Sequence, residues 1–316
     1  MPQKTNMLNN KTVNPRSWLA FELNVLRRLK FKSVAFPYTG DSTLATNLKR
    51  WNIRISSNDT AIWSWTNAIA NIQNNSEKLS ETHVKIALED VYVPHFQLQN
   101  PALRKWFNET DSWWFDNLRS NIEKLDSPIA KAIALSIGMA VGDYLLSFDA
   151  ETMELRQPLS SVFTRLWSNQ LEPINNGQNN PCSNKTAYDF LAENYSDLMF
   201  LRLPQAHGMS FKDSLGKAAW REEWIRESDD FWEIVDTEQT GKLGSKIKSR
   251  TQYIKLTEDI LRTASHIPNW AIAHVEDGFI STQDIVETIN KIRKVDTIYT
   301  KDFSELTGVK AVMITA

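Results

Sequence analysis

Short apolar runs and amphipathic stretches alternate along most of the chain. SVAFPY (33–38), IRISSND (53–59), DLMFL (197–201), WAIAHV (270–275) and VDTIYT (295–300) read as strands. They are short, rich in apolar, β-branched or aromatic residues, and bounded by turn formers. Helical spacing marks WLAFELNVLRRLKF, a stretch from about Thr43, TAIWSWTNAIANIQNN, AYDFLAENY, TQYIKLTEDILRTASHI and STQDIVETINKIRK. Strand, helix, strand, helix at this spacing predicts an α/β unit with a parallel sheet. Residues 84–185 break the rhythm, with helical patterns at 101–125 and 128–146 and a polar stretch at 172–186. The expected organisation is therefore an α/β domain built from 15–83 and 186–316, with a mostly helical insertion at 84–185 as a second lobe. Residues 1–14 are expected to be a disordered tail, Pro15 to open the first helix, and KLGSKIKSR (242–250) to be a mobile loop.

Composition narrows the class. At 316 residues, 41% hydrophobic and 23% charged, the chain has enough apolar side chains for a sizeable core. Its 12 tryptophans are read as packing. With 36 basic against 38 acidic residues the formal charge is -2, so no overall basic surplus marks a dedicated nucleic-acid binder. The single Cys182 excludes an internal disulfide and a thiolate metal cluster, and fits a reducing compartment. IAKAIALSIGMAVGDYLLSF (129–148) is interrupted by Lys131 and Asp143, and is expected to be a core helix rather than a membrane span. The first residues are too polar for a secretory signal, so a cytoplasmic protein without a membrane partner is expected.

Sheet enzymes place working residues just beyond their strands, which draws attention to the residues after DLMFL: Arg202, Leu203, Pro204, Gln205, Ala206, His207 and Gly208. None has an obvious chemical role, and His207 is read as a surface residue. The five histidines show no HExxH pairing, and His83 with His95 gives only a weak metal spacing, so no metal is expected. GKLGSK lacks the Walker spacing. Ser210 lacks the setting of a nucleophile elbow. Asp229, Asp230 and Glu233 read as a solvated helix start, and Glu276 with Asp277 before Gly278 as a polar turn.

Three ordered segments carry a family resemblance. FPYTGDSTLA (36–45) resembles the S-adenosylmethionine loop of the D12 class of DNA adenine N6-methyltransferases, among them the type II modification methylases. SSND (56–59) is similar to the end of that family's second strand, and HIPNWAIAHVEDGFIS (266–281) to a late helix–strand–loop segment. The order, the spacing and the helical insertion, where the family keeps its target-recognition lobe, agree over roughly residues 33–300. The resemblance implies a methyltransferase-type, Rossmann-like α/β sandwich. It also implies a cofactor site of Phe36, Tyr38, Gly40, Asp41 and Asp59, the last placed for ribose hydroxyls. Asp59 is read equally well as a cap of the next helix. Lys242, Lys246, Lys248 and Arg250 become candidate DNA contacts, although basic loops are often merely solvated.

The resemblance also aligns Arg202, Leu203, Pro204 and Gln205 with the family's tetrad, commonly Asp-Pro-Pro-Tyr. There an acceptor holds the adenine amino group and an aromatic stacks on the extruded base. Arginine is a permanent donor, its charge opposes a sulfonium, and Gln205 offers no ring. Asp41 stands where the family often has a small residue, and no counterpart of its N-terminal Tyr-Ile-Gly-Ser-Lys segment precedes Phe36. The expectation is a non-catalytic or strongly altered homologue, retained for binding DNA or a partner protein, with either no cofactor or S-adenosylmethionine. Two alternatives stay open. One is an active S-adenosylmethionine-dependent, adenine-specific DNA methyltransferase with an unusual motif. The other is a structural or interaction protein without a nucleic-acid role.

Overall fold

The apolar runs become strands of one sheet, and the alternation of their side chains gives that sheet two buried faces. A computed structural model describes residues 18–149, 151–276, 278–303 and 309–316; the tail expected at 1–14, Pro15 and Asp277 lie outside them. The chain opens with helix α1 (Leu19–Leu26), strand β1 (Ser33–Phe36), helix α2 (Thr43–Arg50), strand β2 (Arg54–Asn58) and helix α3 (Ile62–Ala68). Helices α4 (Glu81–Ala87), α5 (Glu109–Ile122), α6 (Pro128–Leu145) and α7 (Leu159–Ser168) precede the two-residue strand β3 (Cys182–Ser183). Helix α8 (Ala187–Ala192) leads to strand β4 (Leu198–Arg202). The polar stretch after it holds short helices α9 (Phe211–Leu215), α10 (Ala219–Ile225) and α11 (Trp232–Gln239). Helix α12 (Arg250–Thr263), strand β5 (Asn269–Glu276), helix α13 (Thr282–Asn290) and strands β6 (Thr297–Asp302) and β7 (Lys310–Thr315) complete the order.

The fold is α/β, with a mostly parallel seven-stranded sheet in the order β3-β2-β1-β4-β5-β7-β6. Strands β3, β2, β1, β4 and β5 pair in parallel, whereas β7 runs antiparallel to β5 and β6. Val34, Phe36, Leu198, Phe200, Ala271 and Met313 enter one core, covered by α1 and α2. Their neighbours Ala35, Met199, Leu201, Trp270, Ile272 and Ile314 enter the other, against α8, α12 and α13. That period of two, with apolar residues on both sides, is why the central strands read as continuous apolar runs.

The third core is helical and joins α5, α6 and α7 with Trp220 and Trp224 of α10. Helix α10 lies beyond the expected insertion in sequence yet packs inside this cluster. Gly138 and Gly142 of α6 make room for it, since a Cβ at either position would overlap the ring of Trp224 or Trp220. Helix α6 is long and apolar enough to cross a membrane, but 61% of the span is buried inside the protein.

The stretch 242–250, expected to be mobile, is pinned instead. Leu243 and Ile247 insert into the second core, while Lys246 and Lys248 face outward. A basic loop can look free in sequence when two apolar side chains are enough to anchor it.

Candidate functional site

From β1 the chain winds outward to β2 and β3, then crosses back to place β4 and β5 on the other side of β1. Such a reversal leaves a crevice beyond the carboxyl ends of the two central strands, where open α/β sheets bind ligands. Both segments singled out in the sequence meet there: residues 37–42 come after β1, and 203–207 after β4.

The turn after β1 is tightly tied. Phe36 points into the core beneath the sheet, its ring 5.4 Å from that of Phe200. Tyr38 turns to the other side, where its hydroxyl donates to the Leu243 carbonyl at 2.8 Å. Burial pushes the Tyr38 phenol well above its ordinary pKa, with Tyr188 adding to the shift. Gly40 adopts a left-handed backbone with φ 63°, which a side chain would strain.

Gly40 is also the partner of Asp59. Its N–H donates to Asp59 Oδ2 at 2.9 Å, the Ala61 N–H donates to Oδ1 at 3.0 Å, and the Ser64 hydroxyl lies 2.7 Å from Oδ2. Both carboxylate oxygens are thus engaged by the chain itself. Burial raises the Asp59 pKa, opposed first by the Gly40 N–H. Asp41 turns its Oδ1 to the Thr43 N–H at 3.1 Å, at the start of α2. Open space remains beside Gly40, where an added Cβ would meet nothing within 4 Å.

At the end of β4, Arg202 reaches sideways to Glu22 of α1. Its Nε donates to Oε1 at 3.1 Å, and Nη2 to Oε1 and Oε2 at 2.8 Å each. The Glu22 side chain is 1% exposed and that of Arg202 21%. Burial raises the Glu22 pKa even though the Arg202 charge and hydrogen bonds pull it down, and Asp41 raises it further. Desolvation therefore outweighs the pairing.

The rest of this segment is structural as well. Leu203 is buried and extends the strand pairing through its N–H to the Ala273 carbonyl at 2.9 Å. The Pro204 carbonyl accepts from the Tyr253 hydroxyl at 2.8 Å. Gln205 is exposed and borders a shallow recess shared with His274, Tyr253 and Phe279. His207, read as a surface residue, is half-buried and links two loops. Its ring nitrogens lie 3.2 Å from the Met209 carbonyl and 3.1 Å from that of Gly244. Loop 241–247 is thereby held over the crevice.

Of the candidate DNA contacts, Lys242 is half-buried and Lys246, Lys248 and Arg250 are exposed. Arg250 is ion-paired with Asp284, which compensates its charge. Sequence reasoning missed Glu22, although a signal was present. Trp18, Phe21, Val25 and Leu26 form the buried stripe of α1, and Glu22 falls on that stripe at helical spacing. Glu223 was missed too; fully buried on α10, it accepts from Lys212, Trp106 and Trp232. Among the described residues no three His, Cys, Asp or Glu side chains gather as a metal site.

No protein-family model matches this chain, and no curated protein does. Its chemistry has to be read from the geometry. Tyr38, Asp59 and Arg202 are all committed to partners within the chain.

Proposed function

We propose that this is a non-catalytic protein of the methyltransferase-type, Rossmann-like α/β sandwich, retained for binding DNA or a partner protein. The observation that carries the reading is the Arg202–Glu22 pair. At the position where the resembling family needs an acceptor for an amino group, this chain has a donor, and its partner is a buried residue of its own first helix. The sheet with its switch point supports the fold half of the reading, because the loop after β1 and the segment after β4 flank one crevice. A cytoplasmic setting, where the Cys182 thiol would stay reduced, belongs to the same reading.

Calorimetric titration with S-adenosylmethionine and with S-adenosylhomocysteine, backed by thermal unfolding, tests it. No heat and no shift of the unfolding midpoint are expected up to millimolar ligand. Micromolar binding would overturn it. A second reading would then take its place, an adenine-specific DNA methyltransferase with an altered motif, which the open space beside Gly40 favours.

A further inference from the structure

The edge of the sheet opposite the crevice, where the strands begin, carries an unbalanced positive charge. Residues 23–58 contain seven basic side chains and one acidic one, Asp41, in a chain of net charge -2. Six of the seven are exposed: Arg27, Arg28, Lys30, Lys32, Arg50 and Arg54. The fold gathers them. Arg27 and Arg28 come directly after α1, Lys30 and Lys32 lead into β1, Arg50 ends α2, and Arg54 opens β2. Ser33 lies in register with Arg54, whose N–H donates to the Lys32 carbonyl at 2.9 Å.

Aromatic rings back two of these cations. The Arg27 guanidinium lies 5.2 Å from the Trp51 ring and that of Arg28 5.5 Å from the Tyr299 ring. Among the described residues none of the six is ion-paired. The Asp197 carboxylate sits at this edge, but it accepts from the backbone N–H groups of Lys32 and Ser33 at 2.8 and 3.0 Å. The stretch 173–181, tied to β2 through Asn176 and Asn180, contains no acidic residue.

We infer that this edge grips the phosphate backbone of a nucleic-acid duplex. The inference rests on the binding role proposed above, chooses DNA over a protein, and moves the contact away from loop 242–250. Four of the six cations are arginines, whose planar fork suits phosphate oxygens. Trp51 and Tyr299 are half-buried beneath their arginines, so neither ring projects as the apolar anchor of a bilayer-binding surface would. Contacts to about four phosphates would make log K fall with log salt at a slope near -3.6.

The test is fluorescence anisotropy of the full chain with a labelled DNA duplex over a salt series. It compares wild type, Lys30→Glu/Arg50→Glu/Arg54→Glu, and Lys242→Glu/Lys246→Glu/Lys248→Glu. Thermal unfolding confirms that each variant folds. The edge variant is expected to bind at least about tenfold more weakly, with a salt slope shallower by about 1 for each contact removed; the loop variant should match wild type. Duplex binding that the edge variant leaves intact overturns this inference while the binding reading stands. No duplex binding at all overturns it and leaves a protein partner. Tighter binding to phosphatidylserine vesicles than to duplex, lost in the edge variant, also overturns it.

Discussion

Replacing Arg202 or Glu22 tests the physical claim behind the proposed function, that the end of β4 has become a structural joint. Glu22 is 1% exposed and holds both of its oxygens against the guanidinium. Glu22→Leu strands a cation that is mostly buried, and Arg202→Met strands a carboxylate with almost no solvent. Removing one partner of a buried pair costs about 3–5 kcal/mol. The 21% exposure of Arg202 lets it recover some hydration, so Glu22→Leu should lie near the lower limit. Glu22→Leu/Arg202→Met removes both charges and leaves an apolar contact. It should fall within about 1 kcal/mol of wild type, a coupling of several kcal/mol. Urea unfolding gives the values, provided the m-value is unchanged.

The pH dependence comes from the raised pKa of Glu22. Its native carboxyl binds a proton more readily than the unfolded one. The resulting stabilisation is fully present below the ordinary value of 4.5 and is lost as pH rises through the native pKa. Glu22→Gln should therefore be more destabilising, relative to wild type, in acid than at neutrality. Additive single-variant effects of less than about 1 kcal/mol would refute the joint, because exposed pairs have that magnitude.

Two further perturbations test the packing. Gly138→Ala pushes a methyl group into the Trp224 ring; overpacking should cost about 1–3 kcal/mol, read as a lower urea midpoint with shifted tryptophan fluorescence. Lys49 is fully buried, gives one hydrogen bond to the Asn74 carbonyl at 2.6 Å, and is pushed by burial from 10.5 to about 8. The unfolded chain binds the extra proton between these values, so wild-type stability should rise as pH increases from about 8 to 10.5. Lys49→Met should remove that rise and stabilise the fold at neutral pH by roughly 1–3 kcal/mol, measured by urea unfolding across the alkaline range.

The local pattern determined much of the frame. SVAFPY, IRISSND, DLMFL, WAIAHV and VDTIYT each contain an observed strand or most of one, and the helices at 43–50, 250–263 and 282–290 formed where spacing placed them. Apolar periodicity is imposed by burial against one layer, so it survives in the sequence. β7 escaped notice because KAVMIT lies antiparallel between β5 and β6, a partnership that no local signal encodes. The meeting of residues 37–42 with 203–207 at one crevice was expected only through the family resemblance. What each side chain does there depended on contacts across long sequence separations: Glu22 with Arg202, Tyr38 with Leu243, and His207 with Gly244. Sequence alone determined that a permanent cation, Arg202, follows the apolar run DLMFL, because charge is a property of the residue. Only the tertiary structure decided that this cation is neutralised by the first helix, because desolvation and pairing depend on which groups share a buried volume.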